Sequence, residues 1–407
     1  MKPQAIAVVG AGTAGLASAC LLARQGHRVT LIEQAPAPAP VGAGLLLQPS
    51  GLTVLTEMGL AGPIRERGAP IHSLFGDTPE GRTVMQVRYA SLEPGLEGLG
   101  VHRASLCQTL DEALQALPHE RLTGTRVRAL AHGDDRVWLD LDQDGHHRRR
   151  RFDAVLVANG SHSRLRPPAW VRYDRRYPWG AIWAMRPMPT DLDPNCLRQR
   201  YQGAHTMAGL LPTGRSPAAP DQNLVSFFWS LTVTELDHWR AGEMDFHAWK
   251  ARALEAWPRL APVLEGLNAP SDLLVATYRD VIMRRWGAGR LGFLGDAAHA
   301  MSPQLGQGAN MALLDAREIA AAVAASANWP AVWARYHRAR RGGIRFYQRM
   351  SRWLTPAFQS HGRLVPAARD ALFPAMDRVP WLRREMARTT AGLKTGFMRQ
   401  ERPGAPL

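Results

Sequence analysis

Two rhythms of apolar and polar positions run along this chain, and one gives way to the other near Tyr177. Near the start, AIAVVG (Ala5 to Gly10) is a short, wholly apolar run, as a parallel strand buried on both faces requires. The following AGTAGLASACLLARQG carries apolar residues at helical spacing and stops at Gly26. HRVTLIE (His27 to Glu33) reads as a second strand, so the opening predicts a βαβ unit. VHRASLCQTLDEALQAL (Val101 to Leu117) predicts a helix, with Arg103 in its first turn. TRVRAL, DRVWLDLD and RRRFDAVLVANG predict three strands, the last apolar from Ala154 to Ala158 and ending at Asn159-Gly160. Between Tyr177 and Val233 the runs become short, aromatic and β-like: WGAIWAM, LRQRYQGAHTMAGLLP and LVSFFWSLTV. Pro/Gly-rich loops such as PTGRSPAAPDQ (Pro212 to Gln222) separate them, which predicts an antiparallel sheet. A helix (DFHAWKARALEAW), a strand (LLVATYRDV) and a buried strand (LGFLG) follow, and helices dominate from Leu313 onward.

The glycines have physical tasks. Gly10, Gly12 and Gly15 form GxGxxG between the first strand and the first helix, and Glu33 closes the second strand. In a dinucleotide site Gly10 makes the tight turn, Gly12 lets a pyrophosphate approach the backbone, and Gly15 permits close helix–strand packing. The helix N-terminus, Ala14 included, supplies N–H donors and a positive dipole. Glu33 is placed to accept hydrogen bonds from a ribose, beside Gln34. Beyond the stiff Ala35 to Pro40 loop, Gly42 and Gly44 again invite close approach. The later stretch GDAAHAMSPQLGQGANMALLDA (Gly295 to Ala316) packs an acid, a proline and several glycines around a helix mouth. Asp296 stands at the carboxyl end of LGFLG, where open α/β sheets bind ligands. A cation such as Arg103 at a helix N-terminus opposes the dipole, which an anionic partner would explain.

With 407 residues the chain is long enough for two domains, or one with insertions. Its net charge is +15, from 50 basic against 35 acidic residues, and lysine occurs only at Lys2, Lys250 and Lys394. That balance permits nucleic acid as a partner, but no basic patch interleaved with aromatics accompanies it. The densest run, His146 to Arg151, follows Asp144-Gly145 and reads as a solvated hairpin strand. Cys20, Cys107 and Cys196 share no metal-ligand spacing and offer no disulfide framework. No apolar stretch approaches the ~20 residues of a membrane span. The expectation is a cytoplasmic protein without stable membrane insertion, without a metal site and without a nucleic-acid partner.

These residues resemble the group A flavin-dependent monooxygenases, the para-hydroxybenzoate hydroxylase-like family. GxGxxG with Glu33, DAVLVANGSHSRLR and the Gly295 to Ala316 stretch carry the resemblance, in order, over roughly the first three-quarters of the chain. It implies an α/β fold: a Rossmann-like FAD-binding domain, an inserted antiparallel-sheet substrate domain and a helical C-terminal region. The expected segments are 1–75, 100–175 and 275–320 for the first, 76–99 and 176–274 for the second, and 321–407 for the third. It implies FAD held by Gly10, Gly12, Ala14, Gly15, Glu33, Gln34, Gly44, Arg103, Val127, Asn159, Gly160, Gly295 and Asp296, the last on the ribityl chain. Pro303 and the loop Gly306, Gln307, Gly308 would border the isoalloxazine ring, with Ala309 and Asn310 also expected at the cofactor. NADPH or NADH would serve as transient reductant. The family's middle motif reads Asp-Gly where this chain has Asn159-Gly160, a loss of charge that bears on reduction by the nicotinamide.

The implied chemistry is the cofactor's: reduced flavin reacts with O2 to a C4a-hydroperoxide, which transfers oxygen to an apolar aromatic or heteroaromatic ring. No protein nucleophile is needed. Gln48, Trp183, Tyr201, Met207, Phe227 and Trp229 are candidate walls for that ring. Phe227 and Trp229 share a strand face and Phe228 takes the other, with the inward face left open. Alternatives in the same fold are an externally reduced enzyme and an epoxidising or Baeyer–Villiger one. A ligand-sequestering flavoprotein is the non-catalytic alternative. The chain is expected to act as a monomer or homodimer.

Overall fold

The computed structural model describes residues 1–37, 42–133, 135–362 and 364–401. The expected Ala35 to Pro40 loop therefore lies partly outside the described residues.

The opening βαβ unit forms as the pattern requires. Ala5–Val9 and Arg28–Ile32 pair in parallel, Val8 opposite Leu31, with the helix Thr13–Arg24 between them. Ala154–Val157 joins on the other side, Val8 opposite Leu156, and Leu291–Phe293 follows it, also in parallel. The full sheet has six strands, edged by Gly287–Ala288 and His119–Leu122. Its central strands are apolar on both faces because helices cover both. Ile6, Leu22, Leu31, Leu156 and Phe293 are all sealed from solvent. Each such side chain contributes about 1.5–3 kcal/mol of burial free energy. The helix Gly308–Ala324 packs within the same core through Leu313, Ile319 and Val323.

The Asp144-Gly145 turn has both residues at positive φ, 52° and 82°, and joins Val137–Gln143 to His146–Phe152. The basic run is a solvated strand: Arg149 pairs with Asp140 at 3.3 Å and Arg150 with Glu120 at 2.7 Å.

The aromatic middle of the chain builds a seven-stranded sheet whose neighbours are antiparallel except Ser73–Asp77 beside Cys196–Gln202, which run in parallel. It reaches further than the expected segments, taking in Ser73–Asp77, Val171–Pro187 and Leu274–Met283. The Pro212 to Gln222 stretch, expected to be a loop, is mostly strand. Thr206–Ser216 and Ala219–Thr232 run almost to the turn between them. Register shifts at Pro212 and Gly214, the latter at φ 63°, absorb the residues that break an ordinary ladder.

At the C-terminus Trp329–Phe358 is one long helix, capped by Asn328, whose side chain accepts from the Ala331 N–H at 3.0 Å. Leu364–Arg378 and Pro380–Thr390 then fold back against it and against Thr83–Arg88.

Candidate active site

A cavity of 1090 Å³ runs from the GxGxxG turn to the aromatic face of the seven-stranded sheet. It exceeds the roughly 300–1,000 Å³ of ordinary small-molecule pockets.

At one end backbone geometry does the shaping. Gly10 sits at φ +105°, and a Cβ there would lie 2.6 Å from the Ala158 carbonyl oxygen. A Cβ on Gly15 would come within 1.8 Å of the Gly10 carbonyl oxygen, so Gly15 serves the packing of helix on strand. A Cβ on Gly12 would meet nothing within 4 Å, because Gly12 faces the open cavity. The N-terminus of Thr13–Arg24 is presented to that space, with donors unused by the helix. Both Glu33 oxygens accept backbone N–H groups, from Ala11 at 2.7 Å and Ala35 at 2.9 Å, which fixes the carboxylate beside the turn. Each oxygen keeps a second lone pair for a ligand hydroxyl.

Farther along, the strand Leu291–Phe293 is followed through Leu294 by Gly295, φ +56°, whose N–H donates to Asp315 at 2.9 Å. Asp315 is fully buried and also takes His299 Nε2 at 2.6 Å and Arg340 Nε at 2.7 Å. Burial works to raise its carboxyl, but His299 and Arg340 hold it well below the usual carboxylate range. Asp296, the next residue along from Gly295, is exposed on the cavity wall, its carboxylate bordering the open space rather than a protein partner. Desolvation within the cavity raises its carboxyl above the usual range, against the pull of His299 and Arg103. Arg103 also lines the cavity and forms no ion pair among the described residues.

Of the residues expected at the cofactor, Gly10, Gly12, Ala14, Glu33, Gln34, Gly44, Arg103, Val127, Asn159, Gly160, Asp296, Pro303, Gly306, Gln307, Gly308 and Ala309 line this one cavity. Gly15, Gly295 and Asn310 do not. Asn310 is sealed within the protein, accepting the Gln48 N–H at 2.8 Å and donating to the carbonyls of Leu46 and Gly306. It ties the ring-bordering loop to the Gly44–Leu47 strand.

The other end is made of side chains. Gln48, Trp183, Tyr201 and Met207 line it, as expected. Phe227 and Trp229 do not: they point to the opposite face of the sheet, where both pack on Trp249 at 6.4 and 6.0 Å. The helices Val233–Ala241 and Phe246–Ala256 cover that face. Phe228 takes the cavity side, 5.0 Å from Trp183. Strand alternation separated the two sets correctly, but only the position of the covering helices decides which set is inward. Tyr89, also unforeseen, donates to Gln48 Oε1 at 2.5 Å and stays protonated, since burial pushes its hydroxyl far up. The C-terminal helices contribute a wall through Leu354, Phe358, Phe373, Met376, Leu382 and Met386. Their only signal was spacing: Phe373 and Met376, or Leu382 and Met386, stand three and four apart on a helix face.

Does this cavity fit the dinucleotide that the GxGxxG turn suggests? Three buried polar atoms of its lining have no protein partner: Trp183 Nε1, Ser302 Oγ and Gln307 Oε1. With the unpaired Asp296, the open face of Gly12 and the free helix N-terminus, they form a cradle wanting a long polar ligand at one end and a ring at the other. The sequence pattern of the FAD binding domain family matches residues 4–345. The chain belongs to that family, the FAD-dependent monooxygenases. It is 30% identical over 347 residues to a 2-heptyl-3-hydroxy-4(1H)-quinolone synthase, AqdB2, of Rhodococcus erythropolis, described as probable; the match covers 84% of this chain and 86% of that one. It is 29% identical to 6-hydroxynicotinate 3-monooxygenase of Bordetella bronchiseptica, over 77% of this chain and 81% of that one. In fold it is similar to p-nitrophenol 4-monooxygenase PnpA of Pseudomonas putida DLL-E4, at a TM-score of 0.77 and 18% identity, over 98% of this chain and 99% of that one. The protein is an FAD-dependent monooxygenase of the aromatic-hydroxylase kind, with an α/β fold and a helical C-terminal region. No helix among the described residues is long and apolar enough to cross a membrane.

Proposed function

We propose that the protein hydroxylates a flat, apolar aromatic or nitrogen-heteroaromatic ring held between the Ser302–Ala309 loop and the face carrying Trp183 and Phe228. The observation that carries this reading is the continuity of one cavity from Gly12 to Phe228. There Gly12 and the N-terminus of Thr13–Arg24 would hold the pyrophosphate of FAD, Glu33 its adenosine ribose and Asp296 its ribityl hydroxyls, with Arg103 offsetting phosphate charge. Pro303 and the Gly306 to Gly308 loop would border its ring. Bound and reduced, FAD supplies the activation of O2.

The chain's own residues supply orientation and dryness. Tyr89 holds Gln48 by its carbonyl, which leaves the amide NH2 to donate to an oxygen on the substrate. Trp183 lends its ring to the same wall. Trp183, Phe228 and the C-terminal helices exclude water from the place of reaction. Relatives named for a quinolone and for 6-hydroxynicotinate support a ring of this class. A nicotinamide dinucleotide is the reductant. Asn159, uncharged beside the cavity, favours one second reading, a monooxygenase reduced by an external donor. The division into a cofactor domain on the six-stranded sheet and a substrate domain on the seven-stranded one belongs to the same reading.

An anaerobic absorbance titration with NADPH and then NADH tests it. Bleaching of a flavin band by either donor, faster with a bound ring, is the expected result. A yellow protein that bleaches only with dithionite favours the external donor, and a protein purified without flavin that takes up none overturns the reading.

A further inference from the structure

A second concavity, of 920 Å³, shares no lining residue with the flavin cavity. Five arginines from separate parts of the chain surround it: Arg172 near the start of Val171–Pro187, Arg284 just past Leu274–Met283, and Arg345, Arg349 and Arg352 on the long C-terminal helix. The last three stand at i, i+4 and i+7 and so share one helix face. Only Arg352 has a carboxylate partner, Asp280 at 2.8 Å. Arg172, Arg284, Arg345 and Arg349 form no ion pair among the described residues.

The frame beneath the guanidinium groups is rigid. Gln348 is buried and donates to the Val281 carbonyl at 2.8 Å, fixing helix to strand. The Arg284 N–H donates to the Trp170 carbonyl at 2.7 Å. Trp286 and His337 stack at 4.6 Å in the floor, and Arg352 lies over the Tyr173 ring at 4.9 Å. Like charges converge here with Asp280 as the one paired carboxylate among the described residues: burial, with Arg341, Arg349 and Arg172, makes the charged form of Arg345 harder to hold. Burial and the neighbouring Arg341 and Arg345 likewise lower the His337 imidazole. Guanidinium forks on three elements around a concave space match a ligand with several phosphate oxygens, each contacted by two N–H groups.

We propose that this cleft is a second binding site, for a soluble phosphate-bearing anion of pyrophosphate or nucleotide type. Its concavity favours such a ligand over the flat surface of a lipid bilayer. The site stands independently of the reading of the flavin cavity.

Pyrophosphate is the probe, titrated calorimetrically into the FAD-loaded protein. Saturable binding that weakens steeply with added salt is expected. An Arg345→Ala/Arg349→Ala variant should lose at least tenfold in affinity, and Arg172→Ala, on a different element, should also weaken it. Flavin content should stay unchanged in both. A control variant, Arg148→Ala/Arg151→Ala on the strand His146–Phe152, whose arginines do not line the cleft, should bind as the parent does. No saturable binding, equal binding by the cleft variants, or an equal loss in the control overturns the proposal. So does co-sedimentation with phosphatidylglycerol vesicles in the absence of pyrophosphate binding.

Discussion

The two ends of the flavin cavity are built on different principles. At the GxGxxG and Gly295–Asp296 end, backbone conformation makes the surface: Gly10 at φ +105°, Gly295 at φ +56°, and a helix N-terminus. At the ring end, side chains from the Gly44–Leu47 strand, the seven-stranded sheet and the C-terminal helices converge. At the backbone-built end a side chain at Gly10 or Gly15 would collide with main-chain oxygens. An end built from side chains can be re-lined one residue at a time.

The largest test of this contrast lies beneath the cofactor end. Asp315→Asn would leave Arg340, 5% exposed, without its countercharge. Thermal unfolding should record a loss of about 3–5 kcal/mol, as for other broken buried pairs. Because Asp315 titrates below its unfolded value of about 3.9, its contribution is present above that pH and lost as pH falls through the folded value. The variant should therefore show less acid sensitivity than the parent. An unchanged melting temperature would mean that the loop does not depend on this network.

Next in size, Phe227→Ala should cost about 3–5 kcal/mol of stability, since Phe227 is sealed against Trp249. The KM for the ring substrate should not move. A raised KM without loss of stability would reverse the assignment of the two sheet faces.

Asp296→Asn tests the polar link between the ends. Loss of a charged hydrogen-bond acceptor should weaken FAD by about 1.5–3 kcal/mol, read by fluorescence titration. A variant that binds FAD as the parent does would remove Asp296 from the cofactor.

The smallest effect belongs to Phe228→Ala, which loses an aromatic contact worth about 0.5–1.5 kcal/mol. The KM for the ring should rise by up to about tenfold while flavin content stays constant. An unchanged KM would place the substrate elsewhere.

Legibility from sequence followed the same division. The turn at Gly10 to Gly15 and the loop at Gly295 to Ala309 announce themselves because special backbone geometry demands glycine at fixed spacing. Even there, residues needed for packing were grouped with residues at the surface: Gly15, Gly295 and Asn310 support the cradle without lining it. The ring end could not be read in full. Period-two alternation put Phe228 opposite Phe227 and Trp229, but the deciding fact is that Val233–Ala241 and Phe246–Ala256 cover one face. Phe373 and Met386 come from a part of the chain ninety or more residues beyond that sheet, and no local pattern ties them to it. The arginine cleft was invisible for the same reason, since its cations come from three separate stretches.

The parallel strand order has a consequence in time. Ala5 donates to the side chain of Asp153, 148 residues later, and Ala154–Val157 is the direct neighbour of Ala5–Val9. At a synthesis rate of about 5–20 residues per second, the first strand emerges from the ribosome roughly 7 to 30 seconds before that neighbour exists. Leu291–Phe293, the next strand over, arrives later still. Throughout that interval one edge of AIAVV is unpaired and apolar, as aggregation requires. The apolar strand AIAVV thus waits with one edge open until residues 148 positions later have been made.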